Sequence, residues 1–478
     1  MKKSILLIAI LASIFGGLWS LQATVYPVNE RQTLPFVPEL DVHLNAHSTS
    51  FTDSALKLTL TPGNTYFQES VLDTQFFLAE IKACDWVVSP ERERVPLNLC
   101  LVIDRSGSMS GSSINYVKNA AKFVINNLRE TDFLSVVVYD HQVELMMAPT
   151  RVKDKKMMLS IIDEISTRGS TNLCGGLMEG YKQLKNHYKQ GFVNRVLLLS
   201  DGLVNSGMTD RNVINQHALQ ANLNHGITTS TFGVGIQFDE DLMLSIAESG
   251  AGNYYYIANP SQIPEIFEKE LNGLLSVVAQ NTYLIIQLPP GLELLHIYGY
   301  ENRSTVPNTI EILWRDISAN ESKSLVVSYL TEQNASNKLQ IKAELKYDDA
   351  IVKQKNRSKT KQIEIAKTNS AVVYKENVNT HVQTQYAVSH SNYLLQQAMK
   401  RVDEGDMEGA NVLIKSNNAI LNRYQGSAQG DELFEKQKTH VQSYERVTEN
   451  YSNYSSDEKK SIQKMNKEAN YKLEKRKN

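Results

Sequence analysis

The sequence predicts a multidomain chain: a doubly wound α/β domain inserted in, or flanked by, a β-sandwich, with a C-terminal helical region. Three observations carry this. Between residues 96 and 275, unbroken apolar runs alternate with apolar residues at helical spacing. On both sides of that stretch the apolar period drops to two. From about residue 377 the period becomes that of a helix again.

Composition narrows the functions. Lys and Arg number 50 against 52 Asp and Glu, for a net charge of -2. Phosphate neutralisation needs a concentrated basic face, so the balance argues against nucleic acid as the main partner. Hydrophobic residues are 41% and charged residues 21%, enough to build a core and too apolar for global disorder. The length of 478 residues allows about three domains. Three cysteines, Cys84, Cys100 and Cys174, frame no disulfide-rich miniprotein and form no CxxC pair for zinc. A Cys84–Cys100 disulfide stays open in an oxidising compartment.

Residues 1–23 read as a signal peptide. Lys2 and Lys3 form a charged start, 5–19 is apolar, and Ala23 offers a small residue at the cut, although Leu21 departs from that preference. The run is short for a bilayer span, and no later segment is long and apolar enough, so no transmembrane segment is expected in the mature chain. Export follows as the expectation, to a periplasmic or extracellular location.

The segment 24–95 is β-rich. Leu56, Leu58 and Leu60 alternate with Lys57 and Thr59, and a second apolar run lies within 75–83. In 96–275 a strand at 97–103 is interrupted only by Asn98. A helix follows at 114–128, with Val117, Ala121, Val124 and Leu128 on one face. Strands at 133–139 and 143–147 are joined by a hairpin turn at Asp140-His141. Helices at 157–165, 173–184, 212–223, 240–248 and 263–275 alternate with strands at 193–200, 227–234 and 254–257. Pro264 fits the first turn of the last helix, and alternation sets Tyr255 on the opposite face from Tyr254 and Tyr256. Short strands at 282–288, 292–298, 309–315, 324–330 and 338–345 read as a β-sandwich over 276–366. The early strands are too few to stand alone, so 24–95 is expected to pair with 276–366 around the inserted domain. In 367–478, helices at 382–402 and 407–421 flank Glu404-Gly405-Asp406, which suggests an antiparallel hairpin. The polar, lysine-rich residues from 457 onward read as a frayed helix or a solvated tail.

The chemistry concentrates at Asp104-Arg105-Ser106-Gly107-Ser108, directly after the first strand of the α/β domain. In doubly wound sheets ligands bind beyond the carboxyl ends of the strands, where the strand order reverses. A carboxylate and two hydroxyls at alternate positions can converge there, and Gly107 permits the tight turn. Thr171, before the helix at 173, and Asp201, after the strand at 193–200, can complete the group. In strand order 3-2-1-4-5-6, Asp104 and Asp201 face one crevice. Hard oxygen donors of this kind suit Mg²⁺, with Mn²⁺ or Ca²⁺ as alternatives.

These residues resemble the metal-ion-dependent adhesion site of the von Willebrand factor type A (VWA) domain, a Rossmann-like fold, in exported bacterial proteins. Asp104, Ser106 and Ser108 match its DxSxS element, Thr171 its threonine and Asp201 its second aspartate. The likeness runs on through 232–235 and 252–256. It implies that the serines and the threonine contact the metal directly and the aspartates often through water. It further implies that a partner protein's exposed Asp or Glu completes the shell. In that family the last helix of the domain moves along its axis when the site rearranges, so coupling into the sandwich is a further implication.

The expected function is therefore metal-dependent protein binding, in adhesion or envelope assembly, without catalysis. Two rivals stay open. One is a scaffold acting through the C-terminal helices. The other is a Mg²⁺-dependent phosphohydrolase, although Ser106 stands where a second aspartate would serve and no general base is evident. No HExxH, GxSxG or P-loop pattern occurs.

Overall fold

The computed structural model describes residues 54–68, 74–85, 94–332 and 334–475. The expected signal peptide, 1–23, and the stretch 24–53 lie outside the described residues.

Among the described residues three strands precede the α/β domain: β1 (Leu56–Pro62), β2 (Tyr66–Phe67) and β3 (Gln75–Ala83). In β1, Leu56, Leu58 and Leu60 are buried and Lys57 is exposed, as the period of two requires. Six strands then build the central sheet: β4 (Leu97–Asp104), β5 (Phe133–Tyr139), β6 (Val143–Arg151), β7 (Val193–Ser200), β8 (Thr228–Val234) and β9 (Ala251–Ile257). Their order is β6-β5-β4-β7-β8-β9, and all neighbours are parallel except the β5–β6 hairpin. Numbered within the domain, this is 3-2-1-4-5-6.

Helices cover both faces of that sheet. On one side lie α1 (Ser112–Asn127), α2 (Lys155–Asp163) and, later in the chain, Ile263–Leu275, which is α6. On the other lie α3 (Leu173–Asn186), α4 (Arg211–His225) and α5 (Glu240–Ser249). Strand β4 shows why its sequence is apolar throughout. Leu97, Leu99, Leu101 and Ile103 enter the first core, and Cys100 and Val102 the second. Tyr255 likewise packs in the first core and Tyr254 and Tyr256 in the second.

After the domain come β10 (Val277–Gln287), β11 (Leu292–Ile297), β12 (Thr309–Ser318), β13 (Ser322–Thr331), β14 (Lys338–Asp349) and β15 (Gln354–Lys367). With β1 to β3 they form two sheets, β1-β3-β13-β11 and β12-β10-β14-β15-β2. β3 pairs with β13 from Lys82↔Ser322 to Gln75↔Tyr329, so segments on either side of the α/β domain share a sheet and a core. Strand β15 was not among the strands read from the sequence. Its residues before Ile363 are polar, so no apolar period marks it.

The helical region holds α7 (Ala371–Glu376), α8 (Thr380–Asp403), α9 (Met407–Tyr424), α10 (Glu432–Glu449) and α11 (Ser456–Lys475). The hairpin turn between α8 and α9 forms as read: Gly405 has φ +81, and Asp406 caps α9 by accepting from Gly409 N. The lysine-rich end corrects the expectation of a tail. It is the docked helix α11, with Ile462, Asn470 and Tyr471 buried and Tyr471 in the second core of the α/β domain. Two of its lysines are matched from outside the segment. Lys464 lies 3.8 Å from the Phe238 ring centroid and donates to the Phe238 carbonyl at 2.9 Å. Lys467 reaches Asp241 at 2.9 Å and Asp403 at 2.7 Å. Among the described residues no helix is long and apolar enough to cross a membrane.

Glu240, at the start of α5, sits beneath these lysines. Burial drives its carboxyl up to about 7 even though Lys467 and Lys464 oppose the rise. Replacing both lysines with Met leaves that buried group without a counter-charge. We expect amide exchange in 456–475 to speed up by about tenfold or more, with the central sheet unchanged. Unaltered protection of that helix in hydrogen-exchange measurements would contradict the docking argument.

Candidate metal centre

Strand β4 is buried along its whole length and ends in a carboxylate. Asp104 is fully buried, with Oδ1 accepting from Ser106 N at 2.8 Å and Oδ2 from Ser200 Oγ at 2.7 Å. A short turn over Gly107–Met109 then leads towards α1. It sets Ser106 Oγ 3.1 Å from Ser108 Oγ, and Ser108 Oγ donates to Asp201 Oδ1 at 2.6 Å. Asp201 follows β7, the parallel neighbour of β4. Thr171 enters from the loop before α3. A Cβ built on Gly202 would lie 3.0 Å from Thr171 Oγ1 and 3.4 Å from Ser108 Oγ, so both hydroxyls crowd one point of backbone. Asp104, Ser106, Ser108, Thr171 and Asp201 thus gather at the ends of two adjacent strands. Ser108 is exposed while Asp104, Ser106, Thr171 and Asp201 are buried, so the group opens to solvent on one side.

A second set of charges holds the two loops together. Buried Arg105 donates through Nε to Asp140 Oδ2 at 2.7 Å and through Nη2 to Glu144 Oε2 at 2.7 Å. Arg168 reaches the same Asp140 oxygen at 2.9 Å. Backbone bonds run alongside, from Arg168 N to Arg105 O (2.8 Å), Gly107 N to Gly169 O (3.1 Å) and Asn172 N to Asp140 O (2.8 Å). Gly169 has φ +72 and stands against His141, where a Cβ would come within 2.2 Å of Nδ1, so any larger residue would be strained and would displace the imidazole. On the far side, Thr171 N donates to Asn205 Oδ1 at 2.8 Å.

The sequence reading missed this clamp. Asp140-His141 does form the hairpin turn, but Asp140 is also the hub of two arginines. The signal was Arg105 itself, since a cation directly after an all-buried strand needs a carboxylate partner. Ser200, one residue before Asp201, was likewise overlooked as the group that holds Asp104.

The two carboxylate environments differ. Burial would raise the Asp140 carboxyl, but the Gln142 N–H and the Arg168 and Arg105 guanidinia hold it below the ordinary range. Burial raises Asp104 despite donors from Ser106 and Ser200. Asp201 is pushed up to about 6, first by burial and then by the charge of Asp104, against the Ser108 hydrogen bond. The protein thus places two desolvated carboxylates together and turns its nearest guanidinium, Arg105, away from them. Two carboxylates and three hydroxyls suit a hard divalent cation. Among the described residues no group of three or more His, Cys, Asp or Glu side chains could hold a metal ion.

The cysteines add nothing to this centre. All three are free thiols, so the Cys84–Cys100 disulfide is not formed. Cys100 lies inside the α/β sheet and burial pushes it up to about 12, whereas Cys84 borders the sandwich core. Burial also raises Cys174, opposite to activation by a helix N-terminus.

Comparison with known proteins agrees with this architecture. Residues 98–269 match the von Willebrand factor type A domain, so the chain contains such a domain. The uncharacterized protein sll0103 of Synechocystis is 28% identical over 273 residues, which cover 55% of this chain and 64% of that protein. Uncharacterized protein YfbK of Escherichia coli is 33% identical over 210 residues, 43% of this chain and 36% of that one. The chain therefore spans less than two thirds of either relative. Among solved structures, a von Willebrand factor type A protein from Catenulispora acidiphila aligns with TM-score 0.64 and 14% identity, covering 80% of this chain and 89% of that one. At that identity the likeness is one of fold.

The raised carboxyl of Asp201 has a consequence for stability. The folded state holds a proton that the unfolded carboxyl releases near its ordinary pKa of about 3.9. In divalent-free buffer this group's contribution therefore falls as pH rises from about 4 to about 6. Asp201→Asn removes the loss. We expect a melting midpoint about 2–6 °C above wild type near pH 7.5, and a smaller gain near pH 5. An equal gain at both values, measured by thermal denaturation, would argue against the raised carboxyl.

Proposed function

We propose that this chain is an exported, divalent-metal-dependent protein-binding protein in which the VWA centre is completed by a partner's carboxylate. One observation carries the reading: two carboxylates and three hydroxyls gather at an open strand-end crevice, and the adjacent guanidinium of Arg105 turns to Asp140 and Glu144 instead. Asp104 and Asp201 would balance a divalent ion, with Mg²⁺ the first choice and Mn²⁺ or Ca²⁺ as alternatives. Ser106, Ser108 and Thr171 would bind it as neutral donors, leaving it attractive to an incoming Asp or Glu. The Arg105–Asp140–Arg168 clamp would keep the two loops in register as the ion exchanges.

Export rests on the charged start and apolar run of residues 1–23. The proposed role involves no catalytic step by the chain itself. A phosphohydrolase reading needs a base beside the centre, and Asp140, the acid of the adjoining hairpin, is occupied by two guanidinia. A turnover screen with phosphoesters and Mn²⁺ tests it directly. The scaffold reading gains from α11, which joins the helices to the α/β core. Because Tyr471 belongs to that core, deleting the helices would disturb the centre as well, and surface substitutions on α9 discriminate better.

Two outcomes are expected. Mg²⁺ at about a hundredfold excess over its Kd should add about 2.7 kcal/mol of stability near neutral pH, an increment absent in Asp104→Ala. Affinity capture of a partner by the full chain should fall by about tenfold or more on adding a chelator, and Asp104→Ala should match the chelated wild type. Partner capture that is undiminished by chelator would overturn the reading.

A further inference from the structure

The sandwich, the α/β domain and the helical region meet around a cavity of about 430 Å³. That volume suits a small organic ligand. Glu248 of α5, Trp314 of β12, Tyr393 of α8 and Lys475 of α11 each line it. So does the turn between β11 and β12, through Tyr300, Glu301 and Arg303. Rings are set into this wall. Tyr300 meets Trp314 edge-on with centroids 5.4 Å apart, and His296 lies 4.6 Å from Tyr393.

The lysines of the wall are matched. Lys323 pairs with Glu321 at 2.6 Å. Lys475 lies 3.4 Å from Glu248 and 3.5 Å from Glu474, and donates to the Gly299 carbonyl. Arg303 is not matched. Among the described residues its guanidinium makes no hydrogen bond and no ion pair, and its Nη1 is buried without an acceptor. Trp314 Nε1, in the same wall, is buried without an acceptor too. Burial pushes the Arg303 pKa down by more than the Glu301 charge raises it. A cation that has lost water without gaining a partner is costly to keep. Its backbone is nevertheless pinned. Arg303 N donates to Glu311 O at 2.9 Å, and Asn302 Oδ1 accepts from Ser304 N at 3.0 Å and Glu311 N at 2.9 Å. The turn thus presents a guanidinium whose long stem can swing it to an acceptor entering the cavity.

We propose that this cavity binds a small organic monocarboxylate with a planar apolar body. The carboxylate takes the Arg303 guanidinium, whose fork matches its two oxygens. The body lies among Tyr300, Tyr393 and Ile297. One negative charge is the limit. Glu248, Glu301 and Glu474 line the same cavity and select against a dianion such as phosphate. Because α5, the sandwich and α11 all border the cavity, a bound ligand holds α11 in place. The site needs no metal and shares no residue with the strand-end crevice, so it stands or falls apart from the proposed function.

The test uses the full chain in chelator, so that no bound metal can capture a carboxylate. The probes are phenylacetate, 4-hydroxyphenylacetate and indole-3-acetate, each beside its neutral amide, with acetate as the ringless control. Binding is followed by calorimetry and ligand-observed NMR. We expect at least one of the three acids to bind about tenfold or more tightly than both its amide and acetate, and to slow amide exchange in 456–475. Arg303→Gln, with wild-type melting, should reduce that acid to the level of its amide, and Arg303→Lys should fall between. Asp104→Ala should leave the affinity unchanged. Acetate or phosphate binding as tightly as the acids would mark an unselective anion contact and overturn the proposal. Full affinity in Arg303→Gln would place the carboxylate elsewhere and overturn it as well. Binding of none of the three acids would mean that the cavity holds only solvent, and would overturn it too.

Discussion

The adjacency of β4 and β7 is the constraint on which the rest of the α/β domain depends. Both strands are parallel and buried on both faces, so each must leave the sheet at the same end. From β4 the chain leaves through α1 on one face, and from β7 it leaves through α4 on the other. The loops after the two strands therefore part, and the crevice between them is the place where backbone leaves room for side chains. Asp104 and Ser200 end the two strands, and Asp201 follows immediately. The Ser200 hydroxyl donating to Asp104 is thus a direct readout of strand pairing, not an added device.

That crevice and the clamp beside it handle charge in opposite ways. At Asp140 two guanidinia compensate the carboxylate and fix the loops. At Asp104 and Asp201 the protein supplies hydroxyls, backbone N–H and burial, and the carboxylates rise. The chain had a cation at hand, since Arg105 lies between Asp104 and Ser106, yet its side chain points to Asp140 and Glu144. A rigid frame with an electrostatically unfinished centre is what a site for an added cation requires. The clamp also explains why Thr171 can sit on a loop and still be positioned: that loop is bonded to Arg105 O, Asp140 O and Asn205 Oδ1.

Legibility in the sequence followed the range of the interactions. The central strands were readable because burial on two faces leaves unbroken apolar runs. Asp104, Ser106 and Ser108 stood out because they end such a run. Thr171 and Asp201 became candidates only in combination with them. What escaped depended on partners far along the chain. The lysines of α11 looked like solvated charges, because Glu240, Asp241 and Asp403 could not be placed beside them from spacing. Asp140 looked like a turn residue because Arg168 is folded back onto it from another loop. Strand β15 escaped for a different reason, since its sequence opposes the period that its position in the sandwich calls for.

The same long-range charges decide how firmly the α/β domain is tied to its surroundings. Glu270 of α6 is buried and accepts from Arg195 at 2.8 Å, Ser230 at 2.6 Å, Asn253 at 2.6 Å and Tyr255 at 2.8 Å. Arg195 also approaches Asp316 of the sandwich at 3.6 Å, and α6 is followed directly by β10. Sliding α6 along its axis by a turn would withdraw Glu270 from all four donors and leave buried Arg195 with the Thr228 and Ser230 hydroxyls and with Asp316, 3.6 Å away, as its remaining carboxylate. Breaking a buried pair of this kind costs about 3–5 kcal/mol. A partner binding at the candidate centre would have to supply that much in differential affinity before the helix could move. The axial coupling implied by the family resemblance therefore meets a lock in this chain. A lock of that size favours a domain that presents its centre in one fixed conformation over one that signals through α6.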